Sequence, residues 1–385
     1  MLTDRNIVCL SITDYGADLP VGKDHLMEIF KKNGNKVLMI NLVGIRTPQI
    51  TNYDFKKIRR KSKEWFSGCK IINGIYVINP LRIPYIKSEI INKINQIILH
   101  LYIIYYFKKL NVIRPIIWTL NVFYSELIKK IDNEAIIYYV SDDYAYFTGN
   151  ETDIINKYEN KTLLNSDGVI TVSQRIFNRI SKSHENVINI PNSTNYNHFS
   201  KINYRNVPED LKILNKPIIG FSGKIEDWVD IELIKDCALH YPDYSFVLIG
   251  PQKINVDILK NIPNVFLLGR KTYNELPSYL NNIDVCLIPF VKNNVTEAVE
   301  LPLKLLEYFA VGKPTVSINI HPPEKYSECL YICRTKEEFI KNIEKAITDD
   351  NEYIRKRRYQ VAIENSWAKR AEEISDWITI TILNN

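Results

Sequence analysis

Short apolar runs alternate with longer stretches of helical spacing along most of the chain. That alternation predicts a parallel α/β sheet, because parallel strands need long crossovers, usually helices. Strands are expected at residues 6–13, 36–42, 75–79, 115–119, 135–141, 168–172 and 186–190. Helices are expected among them at 22–33, 153–165 and 174–182. A polar, broken stretch at 197–216, with Asn197, His198, Ser200, Asn203, Asn206 and Pro208, reads as a linker. A second series follows, with strands at 218–222, 244–249, 265–268, 284–289 and 314–318. Its helices are expected at 230–240, 273–280, 302–311 and beyond Thr335. The pattern predicts two Rossmann-like domains, residues 1–198 and 213–364, and a closing segment, 365–385.

The most apolar stretch, residues 97–107, is too short to span a bilayer, which needs about 20 apolar residues. It follows Lys93, Asn95 and Gln96 on an amphipathic pattern and is expected to be a core helix. No signal peptide is recognised at residues 1–5, since a strand-like run follows at once. The expectation is a cytoplasmic protein that is not integral to a membrane.

Composition adds little beyond a soluble globular class: 45% apolar, 24% charged over 385 residues. The net charge of +6 is too weak to argue for nucleic acid. It suits a protein that handles anionic small molecules or rests on an anionic membrane surface. The densest basic run is Lys56, Lys57, Arg59, Arg60, Lys61 and Lys63, followed by Trp65 and Phe66. It reads either as a solvated helix face or as a site for acidic lipid or a lipid-diphosphate acceptor. Among the six cysteines, Cys9, Cys237 and Cys286 lie in apolar runs, and Cys329 and Cys333 lack a second ligand pair. A reducing compartment without a zinc site follows. The fingerprints G-x-G-x-x-G, G-x-x-x-x-G-K-[ST] and H-E-x-x-H are all missing, which disfavours dehydrogenases, P-loop NTPases and zincins.

The most informative stretch runs from Glu300 to Pro314, ELPLKLLEYFAVGKP. Pro302 suits a first helical turn, Gly312 suits the position past the last turn, and Pro314 forbids continuation. The resulting helix joins two strands, and its amino end belongs at the carboxyl edge of a sheet, where α/β proteins bind ligands. Free amides and the positive dipole end would suit a diphosphate. Lys304 would add a point charge, and Glu307, one turn on, would accept hydrogen bonds from two vicinal ribose hydroxyls. Spacing alone equally allows an i,i+3 surface ion pair.

The segment resembles the nucleotide-sugar motif of GT-B glycosyltransferases, close to the large retaining family called family 4. It is similar, more narrowly, to bacterial transferases that build surface polysaccharides, including teichuronic-acid-type enzymes. Pro302, Lys304, Glu307, Tyr308, Ala310, Gly312, Lys313 and Pro314 match that motif. Further pieces follow in the family's order: Glu159 to Ser173, Ile190 to Asn195 with Phe199, Phe221 to Ile225 with Trp228, Asn264 to Gly269, and Asn365 to Arg370. Together they cover most of residues 135–375. The family's first Glu, eight residues ahead of its second, falls at Val299 here, with Glu300 one step late. Ser193 stands where the family usually has Gly.

The resemblance implies a GT-B fold: two Rossmann-like domains facing across a cleft, with a C-terminal helix that crosses back to the first. It implies a nucleoside diphosphate sugar, UDP-linked, held by the C-terminal domain without a metal or other cofactor. Gly223, Lys224, Arg270, Pro302, Leu303, Lys304 and Glu307 are the donor-binding candidates. Asp14, Gly16 and His25 are candidates for the acceptor, a glycan or a lipid-linked molecule. Asp142 and Asp143 end a predicted strand where family 4 commonly has His. As carboxylates they are candidate general bases, with Glu300 a further catalytic candidate; a turn or cap role is the alternative. The expected function is sugar transfer in bacterial cell-surface polysaccharide synthesis, with contact to an anionic membrane and none to nucleic acid. The alternatives are a catalytically silent GT-B subunit partnering another transferase, and an epimerase or phosphorylase on the same scaffold.

Overall fold

The computed structural model describes residues 1–17, 20–42, 65, 67–80, 88–141, 152–200, 207–293, 296 and 301–384. The chain divides into two compact units, residues 1–191 with 370–385, and residues 192–369.

The first unit is built on β1 (Asn6–Ser11), β2 (Lys36–Asn41), β3 (Lys70–Ile72), β4 (Ile75–Ile78), β5 (Ile116–Thr119), β6 (Ala135–Val140), β7 (Gly168–Thr171) and β8 (Val187–Asn189). The strand order is β3-β4-β2-β1-β5-β6-β7-β8. Neighbours run parallel except β3 and β4, an antiparallel hairpin turned by Asn73 and Gly74, both with positive φ. β5 and β6 are buried at every position, which is why they read as unbroken apolar runs. Val8, Leu10, Ile40, Ile117, Tyr138 and Val140 meet in the core. Its helices include α1 (Gly22–Lys32), α2 (Glu89–Leu110), α3 (Thr152–Leu164) and α4 (Gln174–Ile180).

In the second unit, β9 (Ile218–Ser222), β10 (Ser245–Ile249), β11 (Val265–Gly269), β12 (Val285–Pro289), β13 (Thr315–Ile318) and β14 (Tyr331–Cys333) form one parallel sheet. Its order is β11-β10-β9-β12-β13-β14. The winding reverses between β9 and β12, the point where open α/β sheets bind ligands. Its helices include α5 (Ile231–His240), α6 (Leu276–Asn282), α7 (Leu303–Ala310), α8 (Lys336–Thr348) and α9 (Glu352–Glu364). The last helix, α10 (Trp367–Trp377), carries the chain back into the first unit. There Trp377 and Ile382 press on β7: a Cβ added to Gly168 would lie 2.6 Å from Trp377 Cη2 and 2.9 Å from Ile382 Cδ1.

Two expectations need correction. β3 and β14 add to the predicted strand series; at three residues each they are too short to show a period. The stretch at 97–107 is helical, within α2, but it is not buried all round. Leu99, Ile103 and Tyr106 face the core, whereas Ile97, Leu101 and Tyr105 are more than half exposed. The helix packs along one side only, so a single stripe is covered although apolar residues continue around it. Among the described residues no helix is long and apolar enough to cross a membrane.

Candidate functional site

The carboxyl edge of the second sheet is closed by glycines. Gly223 follows β9 and donates its N–H to Ile249 O at 2.8 Å; Gly250 follows β10 and donates to Gly269 O at 2.8 Å. A Cβ on Gly250 would stand 1.9 Å from the Gly223 carbonyl oxygen, so the two backbones approach as only glycine permits.

α7 leaves β12 and begins beside this edge. Pro302 precedes its first turn with extended backbone, φ −64 and ψ 138. Past the helix end, Gly312 adopts φ +70. Its N–H bonds Phe309 O at 2.9 Å, and the Lys313 N–H bonds Tyr308 O at 2.9 Å. This is the Schellman stop that Gly312 and Pro314 predict, and the helix is one residue shorter at each end than the expected span of 302–311. Below it, buried Arg358 donates to Gly312 O at 3.1 Å and pairs with Asp350 at 2.6 Å.

Tyr308 anchors the helix to the edge: its hydroxyl accepts the Ser222 N–H at 2.9 Å. One turn earlier, Lys304 reaches across the ends of β9 and β12. Its ammonium lies 4.1 Å from the Phe221 ring centre and 5.0 Å from that of Phe290. A Cβ on Gly223 would be 2.7 Å from Lys304 Nζ, so the lysine rests on that glycine. Burial lowers the Lys304 pKa to about 7, with Glu307 pulling the other way. Burial raises the Glu307 pKa to about 7, opposed by Lys304. Both residues are half-buried, and neither side chain has a hydrogen-bond or ion-pair partner among the described residues. The surface ion pair that spacing alone allowed is therefore not formed. What stands there is a cation and a carboxyl group held apart, each short of a polar partner, at the reversal point of the sheet.

Lys224 follows Gly223 and is exposed; Arg270 is exposed just past the end of β11, two strands along the same edge. The seven donor candidates therefore all fall on the carboxyl side of one sheet, with Gly223 and Lys304 in direct contact. The acceptor candidates belong to the first unit. Asp14 is half-buried after β1, and Gly16 takes φ +82 against Ile72. His25 lies buried in the first turns of α1, behind a buried pair, Lys23 with Asp24. Asp142, Asp143 and Glu300 lie outside the described residues, as do the basic run at 56–63 and Phe66. The sequence reading missed Phe221 and Phe290 as the lysine's aromatic seat, Gly250 as the partner of Gly223, and Tyr308 as the helix anchor. Spacing carries no signal for the first pair, because β9 and β12 become neighbours only in the folded sheet. Among the described residues, no three His, Cys, Asp or Glu side chains stand together to hold a metal ion.

Residues 216–349, which hold all seven donor candidates, match the family described as glycosyl transferases group 1. The match takes in 134 of the 385 residues. Over 208 residues the chain is 27% identical to TuaH of Bacillus subtilis (strain 168), described as a teichuronic acid biosynthesis glycosyltransferase. That match takes in 50% of this chain and 52% of TuaH, so the chain spans about half the length of the curated relative. Two solved structures align over nearly everything. Anabaena Alr3699/HepE, in complex with UDP and glucose, has a TM-score of 0.65 at 15% identity, covering 97% of this chain and 99% of its own. A glycosyltransferase from Rickettsia africae ESF-5 has a TM-score of 0.69 at 15% identity, covering 99% of each. The fold is GT-B, with two Rossmann-like parallel-sheet units.

Proposed function

We propose that the chain is a glycosyltransferase that moves a sugar from a nucleoside diphosphate sugar, UDP-linked, to a glycan or lipid-linked acceptor in bacterial cell-surface polysaccharide synthesis. The observation that carries this reading is the separated pair Lys304 and Glu307 at the start of α7, without a polar partner among the described residues and seated where β9 and β12 diverge. A diphosphate would supply the anion that Lys304 lacks, with the free amides of the first helical turn beside it. The carboxylate of Glu307 would accept the two ribose hydroxyls. Lys224 and Arg270 extend the same edge toward the phosphates and the base.

In the reaction the bond from the anomeric carbon to the diphosphate breaks, and a bond to the acceptor oxygen forms. The acceptor's proton passes to a base, for which Asp142 and Asp143 are the candidates. Negative charge grows on the leaving diphosphate, and Lys304, Lys224 and the helix amides would stabilise it without a metal. Asp14, Gly16 and His25 are assigned to the acceptor, presented to a cytoplasmic enzyme at the inner face of the membrane. HepE, solved with UDP and glucose, and TuaH, described in teichuronic acid biosynthesis, support the donor class and the setting.

Glu307→Ala with UDP titration is the test. Loss of the ribose contact should weaken UDP by at least about tenfold, the scale of hydrogen bonds to a charged group. Unchanged UDP affinity and unchanged turnover in this variant would remove the assignment.

A further inference from the structure

From its exposed face, we infer that α2 is a membrane-docking helix that lies flat on an anionic lipid surface. The inference rests on the preceding reading, in which the acceptor is presented at a membrane, and gives that contact a place on the molecule.

α2 has 22 residues and so is about 33 Å long. Its core side is Leu99, Ile103 and Tyr106. The opposite side is also apolar: Ile94, Ile97, Ile98, Leu101, Ile104 and Tyr105 are all exposed, Leu101 by 65%. At 3.6 residues per turn these positions fill one arc of about 120°, running the length of the helix. A contiguous apolar face of this size on a folded surface marks an interaction site.

Charge selects the occupant. α2 opens on Glu89, and from there to residue 114 the sequence has no further Asp or Glu, but it has Lys93, Lys108, Lys109 and Arg114. Lys93 projects at one border of the arc and Lys109 at the other, while Lys108 closes its end; all three are exposed. That is the layout of an interfacial helix, with apolar side chains at the acyl boundary and lysines among the headgroups. Tyr105 has the amphipathic ring that favours the same depth. Beside the basic end, a groove of about 430 Å³ is lined by Ile104, Phe107 and Ile113 and rimmed by Lys108, Arg114 and Lys130. Asp132 also lines it and pairs with Arg114 at 3.6 Å, so Lys108 and Lys130 are the cations it offers a headgroup phosphate next to an apolar wall. A second copy of the chain fits less well, since antiparallel pairing along this face would bring Lys93 toward the lysine end of its twin.

The test uses the full chain in co-sedimentation with phosphatidylcholine vesicles, with and without phosphatidylglycerol, alongside UDP titration. Binding to the phosphatidylglycerol vesicles, weakened by salt, is expected. The double variant Ile97→Glu, Leu101→Glu should bind them at least about tenfold less, since it replaces two apolar side chains of the lipid-facing stripe by carboxylates. Both sites are exposed, so its UDP affinity should be unchanged. Lys108→Glu, Lys109→Glu should weaken binding to anionic vesicles only. The inference is overturned if the wild type ignores both vesicle types, or if the stripe variant binds as well as wild type. It is equally overturned if light scattering shows a dimer that the stripe variant dissolves. Loss of UDP binding with stripe-dependent vesicle binding intact would instead count against the donor assignment alone.

Discussion

Lys304 places its ammonium 4.1 Å from the centre of the Phe221 ring, joining the first turn of α7 to the end of β9. The ring face offsets part of the cost of desolvating the cation, by about 0.5–2 kcal/mol. It does not neutralise it, and Glu307 stays too far off to do so. A charge kept in this condition favours a state in which an anion arrives.

Removing the charge should therefore have opposite effects on stability and binding. Lys304→Met keeps the chain's length between Phe221 and Phe290 and removes a poorly solvated cation. The free protein is expected to melt about 3 °C higher, which corresponds to about 1 kcal/mol in a domain of this size. UDP affinity is expected to fall by about 10- to 150-fold, the equivalent of about 1.5–3 kcal/mol. Thermal melting with calorimetric titration reads both; a variant that is less stable and binds normally would refute the account.

UDP affinity should peak near pH 7. Glu307 has its pKa raised to about 7, so below that pH it is protonated and a poorer acceptor for hydroxyls. Lys304 has its pKa lowered to about 7, so above that pH it loses the charge that meets the diphosphate. Glu307→Gln should flatten the acid limb alone. For the free fold the signs differ. The folded state binds the extra proton at Glu307 between 4.5 and about 7, so that contribution to stability falls as pH rises through this window. The unfolded state binds the extra proton at Lys304 between about 7 and 10.5, so stability rises again there. The pair thus costs most near pH 7, where ligand should raise the melting temperature most; melting curves across pH with and without UDP check this.

Tyr308→Phe removes the acceptor of the Ser222 N–H while leaving the ring in place. A buried amide left unsatisfied costs about 1–3 kcal/mol. The melting temperature should drop by several degrees and UDP should bind several-fold more weakly, because α7 loses the bond that sets Lys304 over β9. Normal binding by a destabilised variant would show that the hydroxyl only supports the fold.

The two glycines should differ in severity. In Gly223→Ala the backbone is strained at φ +145, but the new Cβ meets the end of a flexible lysine, which can swing away, so a destabilised yet folded protein with UDP affinity lowered by about tenfold is expected. In Gly250→Ala it meets a carbonyl oxygen at 1.9 Å, which cannot. That variant should lose more than about 4 kcal/mol and fail to accumulate as folded protein. Soluble yield and circular dichroism distinguish them.

Much of the second unit was legible before any coordinates. Apolar runs marked β9, β10, β12 and β13 because a parallel strand buried on both faces has no polar alternation to confuse it; β11, half-buried at the sheet edge, is an apolar run as well. Pro302, Gly312 and Pro314 bracketed α7 because capping is stereochemistry within a few residues of the backbone. Lys304 and Glu307 stood out because a short motif held them together. β3 and β14 did not, having too few residues to carry a period.

The linear chain thus specified the elements, their alternation and the helix that presents the candidate pair, since propensity, capping and period act over a handful of neighbours. It did not specify which rings flank Lys304, that Lys304 and Glu307 would not pair with each other, or which sides of α2 would be covered. Those depend on β9 lying beside β12 and on one side of α2 meeting a sheet, contacts between distant residues that come into being only when the core packs.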